Sequence, residues 1–282
     1  MKIMRKLLLG VAAISLSGCS FLGIGGHSSG YQSSGYSGYT NPTPRGCGPQ
    51  HVALANGNCL SRFNIEGGIG KSYNVGGDIV TGDEATYVNA NVPNVGFEDA
   101  YEDGIRYELG GSYALSPNRK VTAMAFLDEA ESAGIQNFGT IDGDAFAGSM
   151  SDYKSTGVEL GLRQYFNPTG APLIRTVRPY VEGRVGAAYQ DAIFMENATK
   201  GGAAIGTGTL AFSDSGWVPT AAGLVGLETP LTRYSTVGIE SGIRWTGGRD
   251  GGSAFGPGKF QGLNNDGSRV SVPLMLRGRY RF

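Results

Sequence analysis

The chain runs to 282 residues with a formal net charge of −1, and 40% of it is hydrophobic. No apolar run approaches the roughly 18 residues that a membrane helix needs, so transmembrane helices are excluded. A near-neutral charge gives no electrostatic basis for nucleic-acid binding, and 48 glycines with 12 prolines suit turns and close-packed strands better than helices.

Lys2, Arg5 and Lys6 precede a short apolar run from Leu7 to Leu16, the pattern of a signal peptide over residues 1–18. The run ends in Leu16-Ser17-Gly18-Cys19, which resembles the lipobox of bacterial lipoproteins. That resemblance implies that Cys19 becomes the lipidated first residue of the mature chain; a plain secretory peptide with an incidental Cys is the alternative. Several acyl chains, at about 0.8 kcal/mol per buried CH₂, would hold such an N-terminus firmly in a leaflet. Ser20, rather than Asp, follows the Cys, which by the lipoprotein sorting rule implies the outer membrane. Loss of residues 1–18 removes those three cations and no acid, leaving a mildly acidic mature chain.

Residues 19–60 read as a flexible, disordered linker. Gly30-Tyr31, Gly35-Tyr36 and Gly38-Tyr39 recur among serines, and Asn41-Pro42-Thr43-Pro44 then stiffens the chain. Such a composition buries no core. Cys47 and Cys59 lie a short loop apart in a chain addressed to an oxidising compartment, so a disulfide is expected, contributing about 3 kcal/mol locally. Zinc is the alternative, because His51 lies between them, but a convincing fourth ligand is missing nearby and no metal or other cofactor is expected.

From Ser61 onward apolar residues alternate with polar ones in eight segments, the period of a strand whose faces meet different solvents. The first sets Phe63, Ile65, Gly67 and Ile69 against Asn64 and Glu66. The second sets Ile105, Tyr107, Leu109 and Tyr113 against Arg106, Glu108 and Ser112. The third, Val121 to Leu127, is less regular because Met124 and Phe126 occupy the polar face. The fourth sets Val158, Leu160 and Leu162 against Glu159 and Arg163. The fifth sets Val177, Val181, Val185 and Tyr189 against Arg178, Tyr180, Glu182 and Arg184. The sixth runs from Trp217 to Glu228, and the seventh sets Val237, Ile239, Ile243 and Trp245 against Glu240 and Arg244. In the eighth, Val270, Val272, Leu274, Leu276, Gly278, Tyr280 and Phe282 oppose Ser271, Pro273, Met275, Arg277, Arg279 and Arg281.

Connection lengths alternate. Short ones fall at Ser116-Pro117-Asn118-Arg119, at Asn167-Pro168-Thr169-Gly170 with a few followers, and at Thr229-Pro230-Leu231-Thr232. Long ones run from about Tyr73 to Asp103, Asp128 to Tyr153, Gln190 to Gly216 and Thr246 to Ser268. Membrane barrels pair short periplasmic turns with long extracellular loops in this way. Aromatics sort to strand ends. Trp217 and Trp245 stand at the long-loop end, and Phe63, Tyr113, Phe166, Tyr234, Tyr280 and Phe282 at the other, as interfacial girdles do.

A last strand ending on a terminal Phe, apolar at every second position, resembles the closing strand of bacterial outer-membrane barrels. The resemblance covers Ser61 to Phe282 and is to the OmpA-like eight-stranded class. It implies an all-β fold: an eight-stranded antiparallel transmembrane up-and-down β-barrel over residues 61–282, behind the disordered N-terminal linker. It also implies an assembly signal at Leu274, Leu276, Tyr280 and Phe282. The implied partners are the barrel assembly and lipoprotein sorting machineries, outer-membrane lipids and lipopolysaccharide. The chain departs from OmpA itself in having no peptidoglycan-binding domain after the barrel, an anchor that the N-terminal lipid would replace.

The interior of such a barrel would carry Glu66, Arg106, Glu108, Glu159, Arg163, Glu182, Arg184, Glu240, Arg244 and Arg277. Eight strands leave room only for side chains to fill the lumen, and buried charges are costly unless paired. A salt-bridged plug is therefore expected, with a narrow or gated pore as the alternative. His27 and His51, the two histidines, both precede the barrel, so a barrel-borne serine lacks its usual base and no catalytic residue is expected. The first long loop carries Asp78, Asp83, Glu84, Glu98, Asp99, Glu102 and Asp103 without a Lys or Arg. The second carries Asp128, Glu129, Glu131, Asp142, Asp144 and Asp152, again without one. Such a surface is either merely solvated or meets an extracellular cationic partner, divalent ions included. The reading is a non-enzymatic outer-membrane barrel lipoprotein with a structural or surface-interaction role, anchored on the periplasmic side with loops at the cell surface. A small pore, or a soluble periplasmic lipoprotein barrel, is the alternative.

Overall fold

The structure, a computed structural model, describes residues 51–53, 59–82, 89–166, 177–205, 209–232, 234–249 and 267–281. Eight long strands form the framework: β1 (Phe63–Gly76), β2 (Gly104–Ser116), β3 (Arg119–Ala130), β4 (Tyr153–Tyr165), β5 (Arg178–Gln190), β6 (Gly216–Pro230), β7 (Ser235–Thr246) and β8 (Arg269–Arg281). Each pairs antiparallel with its neighbours in sequence, and β8 pairs with β1, so the sheet closes on itself without an edge. Closure removes the unpaired backbone groups that an open edge would expose. The boundaries agree with those expected from the alternating pattern to within a few residues.

The alternation sets the register. On β4, Tyr153, Ser155, Glu159, Arg163 and Tyr165 are buried inward, while Val158, Leu160 and Leu162 face out. A slip of one residue would turn every lumen charge to the outer wall. Leu160 is 63% exposed and Leu109 66%, values that belong to a solvent-facing apolar wall and not to a core. Met124 and Phe126 do point inward, buried, and the irregularity of the third segment is real. Phe126 packs there with Ala188 and Val218 in a small apolar cluster.

Short connections gather at one end. Pro117 and Asn118 link β2 to β3, and Leu231 to Tyr234 link β6 to β7, where the Thr232 hydroxyl accepts from the backbone N–H of Tyr234 and Ser235. Phe63 lies directly across from Tyr113, and Tyr234 packs on Tyr280, all exposed at this end. Trp217 and Trp245 stand outward at the opposite end, with Trp217 edge-on to Tyr189.

The long connections depart from the sequence reading, which treated them as loops. Gln136–Ile141 and Asp144–Met150 form a hairpin joined by Asp142-Gly143, both at positive φ (55° and 85°), the geometry of a two-residue primed turn. Ile193–Lys200 pairs with Asp144–Met150, and Ala90–Asn91, Ala203–Ala204 and Thr209–Ser213 complete a six-stranded sheet. The one-turn helix Phe97–Ala100 and the pair Asp78–Val80 with Val95–Gly96 come from the first connection. Ile79, Phe97, Phe138, Phe146, Ile193, Met195 and Phe212 share one buried core. Three connections thus build a folded cap whose apolar interior also takes in Ala130 of β3 and Tyr153 of β4. The reason is compositional: these connections carry aromatics and β-branched residues at alternating positions, enough apolar area to offset the ordering of the chain.

The acids of these connections are also less uniform than expected. Asp128 is not a loop residue but the inward carboxylate near the end of β3, buried beside Arg106 and Arg269. Asp142 and Asp144 approach Lys200 of the third connection at 2.6 and 3.9 Å, and Glu129 approaches Lys154 at 3.2 Å. Asp103 lies 3.9 Å from Lys71. Asp83 and Glu84 lie outside the described residues.

Candidate functional site

The lumen holds the chemistry, and its arrangement follows from which residues face one another across neighbouring strands. Large inward charges stand beside inward glycines: Glu66 opposite Gly110, Arg106 opposite Gly70, Arg277 opposite Gly68, Glu159 opposite Gly186, Arg184 opposite Gly161 and Glu240 opposite Gly226. A small residue beside each long one gives its side chain the volume to lie across a narrow barrel. Gly226 shows how tight the fit is. A Cβ there would stand 2.3 Å from the Tyr180 ring, which lies over it and donates its hydroxyl to Glu240 at 2.8 Å.

All ten charges expected inside are buried there and joined. In the middle tier Glu108 takes Arg106 Nε at 2.7 Å, Arg184 Nη1 at 2.8 Å, Arg244 Nη2 at 2.7 Å, and Arg277. Arg244 Nη1 also meets Glu159 at 2.7 Å, Arg184 Nε meets Glu182 at 2.7 Å, and Arg277 Nε lies 2.9 Å from Glu240. Arg163 joins Glu182 at 2.7 Å and Glu66 at 2.9 Å. Each of these five carboxylates therefore has at least one guanidinium within 3 Å. The planar guanidinium suits this use because it offers several donors in fixed directions and is weakly hydrated. Many contacts join strands that are not neighbours in the ring, as between β7 and β4 or β5 and β2.

Two further tiers were not read from the sequence. Towards the cap, Arg269 donates from Nε to Asn74 at 2.6 Å, pairs with Asp128 at 3.2 Å and lies over the Tyr153 ring. At the short-turn end Arg279 pairs with Glu228 and donates to the Tyr165 hydroxyl at 2.7 Å, and that hydroxyl donates to Glu228 at 2.8 Å. Lys120 is buried in the same tier. The signal for all of them was phase alone: Asp128 is in step with Met124 and Phe126, and Arg269 and Arg279 with Arg277. Leu274, Leu276 and Tyr280, expected to belong to an assembly signal, face outward on β8. Phe282, Cys19 with its expected lipidation and the expected Cys47–Cys59 pairing lie outside the described residues, which for Cys59 give only backbone pairing.

Chemically, this arrangement fills space and cancels charge. Among the described residues no group of three His, Cys, Asp or Glu is placed to hold a metal ion. No helix of the described residues is long and apolar enough to cross a membrane.

No family model matches the chain, and no curated protein matches it. Solved structures to which it is similar include Neisserial surface protein A, at 9% identity and a TM-score of 0.42, covering 79% of this chain and 99% of that one. The outer membrane protein OprG of Pseudomonas aeruginosa is similar at 16% identity and 0.38, covering 78% and 95%. Ail, the attachment invasion locus protein of Yersinia pestis, is similar at 14% identity and 0.35, covering 78% and 97%. The barrel itself rests on the strand pairing: eight antiparallel strands close in sequence order, the architecture implied by the OmpA-like resemblance.

Proposed function

We propose that the protein is a non-catalytic outer-membrane barrel, tethered by a lipid on Cys19, that serves as a structural or surface-interaction element of the cell envelope. One observation carries the reading: the lumen is packed with mutually paired charges while the outer wall is apolar. A soluble barrel would place its apolar face inside, whereas a bilayer reverses the requirement. The aromatics exposed at both ends of the wall suit the two interfaces. Cross-lumen ion pairs at several levels favour scaffold over pore. The folded cap on the long-connection side supplies a presentable surface at the cell exterior.

The experiment is electrophoretic mobility of the outer-membrane fraction with and without boiling, joined to single-channel recording in planar bilayers. A heat-dependent shift with no conductance steps is expected. Release without detergent and no shift would refute the membrane assignment, and reproducible conductance would replace the scaffold reading with a pore.

A further inference from the structure

Charge is balanced in every tier of the lumen but one. The middle is filled by carboxylates and guanidinia in mutual contact, and at the cap end Asp128 meets Arg269. At the short-turn end a single carboxylate, Glu228, pairs with Arg279 and accepts from the Tyr165 hydroxyl. Lys120, Arg178 and Arg281 remain as surplus cations around it.

These groups converge. Lys120 Nζ lies 5.4 Å from the centre of the Tyr165 ring, and the guanidinium carbons of Arg178 and Arg279 lie 4.7 and 5.6 Å from the same point. Arg281 follows Arg279 on the same inward face, at the mouth. Lys120 is only 6% exposed, and its ammonium has no hydrogen-bond partner among the described residues. The ring face attracts each cation, yet it offers none of them an acceptor oxygen. Burying an ammonium without an acceptor is costly, and gathering three more cations around it raises that cost. Arg178 reaches the Pro117 carbonyl and Asn118 Oδ1 at 3.2 Å through one nitrogen, Nη2. Among the described residues the mouth thus presents donors on four side chains, against Glu228, held by Arg279 and Tyr165, and Glu66, which lies deeper and is paired with Arg163. A group with several acceptor oxygens and full negative charge completes such a set: the lysine meets it as a point charge and the arginines as forks.

We propose that the short-turn mouth of the barrel is a binding site for a phosphate-class oxyanion, gripped from within by Lys120 and Arg279 and at the rim by Arg178 and Arg281. The oxyanion is either a free phosphate entering from solution or the headgroup of a phospholipid at the adjacent leaflet. The assignment rests on the lumen geometry and is independent of the scaffold role.

The test uses the full-length protein purified from membranes in phosphate-free non-ionic detergent. Titration with inorganic phosphate, followed by calorimetry, is expected to show saturable binding that weakens with added salt. Lys120→Met is expected to weaken it tenfold or more, and Arg281→Gln several-fold, with the heat-dependent mobility shift retained. Arg281 is half-buried at the mouth, so if Lys120→Met does not fold, Arg281→Gln together with Arg178→Gln decides the matter. Lipid phosphorus that co-purifies stoichiometrically with the wild type, and is lost in these variants, would assign the site to a headgroup. Binding of added phosphate alone would assign it to a soluble ligand. If neither is bound, or if the variants match the wild type, the site does not exist.

Discussion

Arg244 on β7 sets Nη1 2.7 Å from both carboxylate oxygens of Glu159 on β4, across a lumen whose wall separates those strands by two others. The contact ties opposite arcs of the barrel as a spoke would, and it is buried at both ends. Arg244→Ala leaves Glu159 with Arg106 at 3.2 Å and Glu108 short of one of its guanidinia. Breaking one partner of a buried pair typically costs about 3–5 kcal/mol. The remaining guanidinia place this variant near the lower figure, read as a fall in the urea midpoint of the vesicle-embedded barrel. Arg244→Met with Glu159→Gln removes both charges together and is expected to recover part of the loss. A single variant as stable as the wild type would show that the spoke carries no load.

The outer wall makes a separate prediction. Leu160 lies mid-strand on β4 and faces out, so Leu160→Arg places a cation against the apolar wall. At mid-bilayer this costs about 2–4 kcal/mol. Lys154→Ala, on the same strand but close to the cap, is the control and is expected to be neutral within about 0.5 kcal/mol. Recovery of Leu160→Arg from the outer-membrane fraction at wild-type level, with its mobility shift intact, would count against a spanning barrel.

How much of this was legible beforehand differs by region, for physical reasons. Period-two alternation is strongest where one face meets an apolar medium and the other a charged lumen, so β4, β5 and β8 were readable residue by residue. The ten expected lumen charges stood in phase with those faces. Asp128 was misplaced because it sits where the strand passes into the cap, and acidity there resembled the loop beyond it. Lys120 and Arg279 were passed over because a cation near a strand end resembles a solvated one until the neighbouring strands enclose it. The cap was missed because its strands are short and pair across three separate connections, a non-local arrangement that no single window of sequence contains. Asp142-Gly143 and Gly201-Gly202 were its local signatures, dipeptides suited to primed turns.

Gly226 and Tyr180 test the packing of the lumen. The ring lies where a Cβ on Gly226 would stand, so Gly226→Val must displace it and with it the 2.8 Å hydrogen bond to Glu240. Overpacking of this kind costs about 1–3 kcal/mol. Tyr180→Ala in the same chain frees the space and is expected to restore part of the stability, measured again by the urea midpoint. A second change that only adds to the first would mean that the two side chains do not compete for the same volume.

The cap is expected to yield independently of the barrel. Phe146 is buried in the cap core, 6.0 Å from the Phe138 ring, and belongs to none of the eight barrel strands. Phe146→Ala removes an aromatic side chain from a small core, a change that typically costs about 3–5 kcal/mol. A core of this size has little to spare, so the cap's local stability falls to near zero while the closed ladder beneath keeps its own hydrogen bonds. Limited proteolysis of intact outer-membrane vesicles reads the difference. Cleavage within the connections is expected to appear in the variant, while the heat-dependent mobility shift of the barrel persists. Loss of that shift together with the cap would mean instead that cap and barrel fold as one cooperative unit, with the packing of Tyr153 of β4 on Phe97 and Tyr101 as the coupling between them.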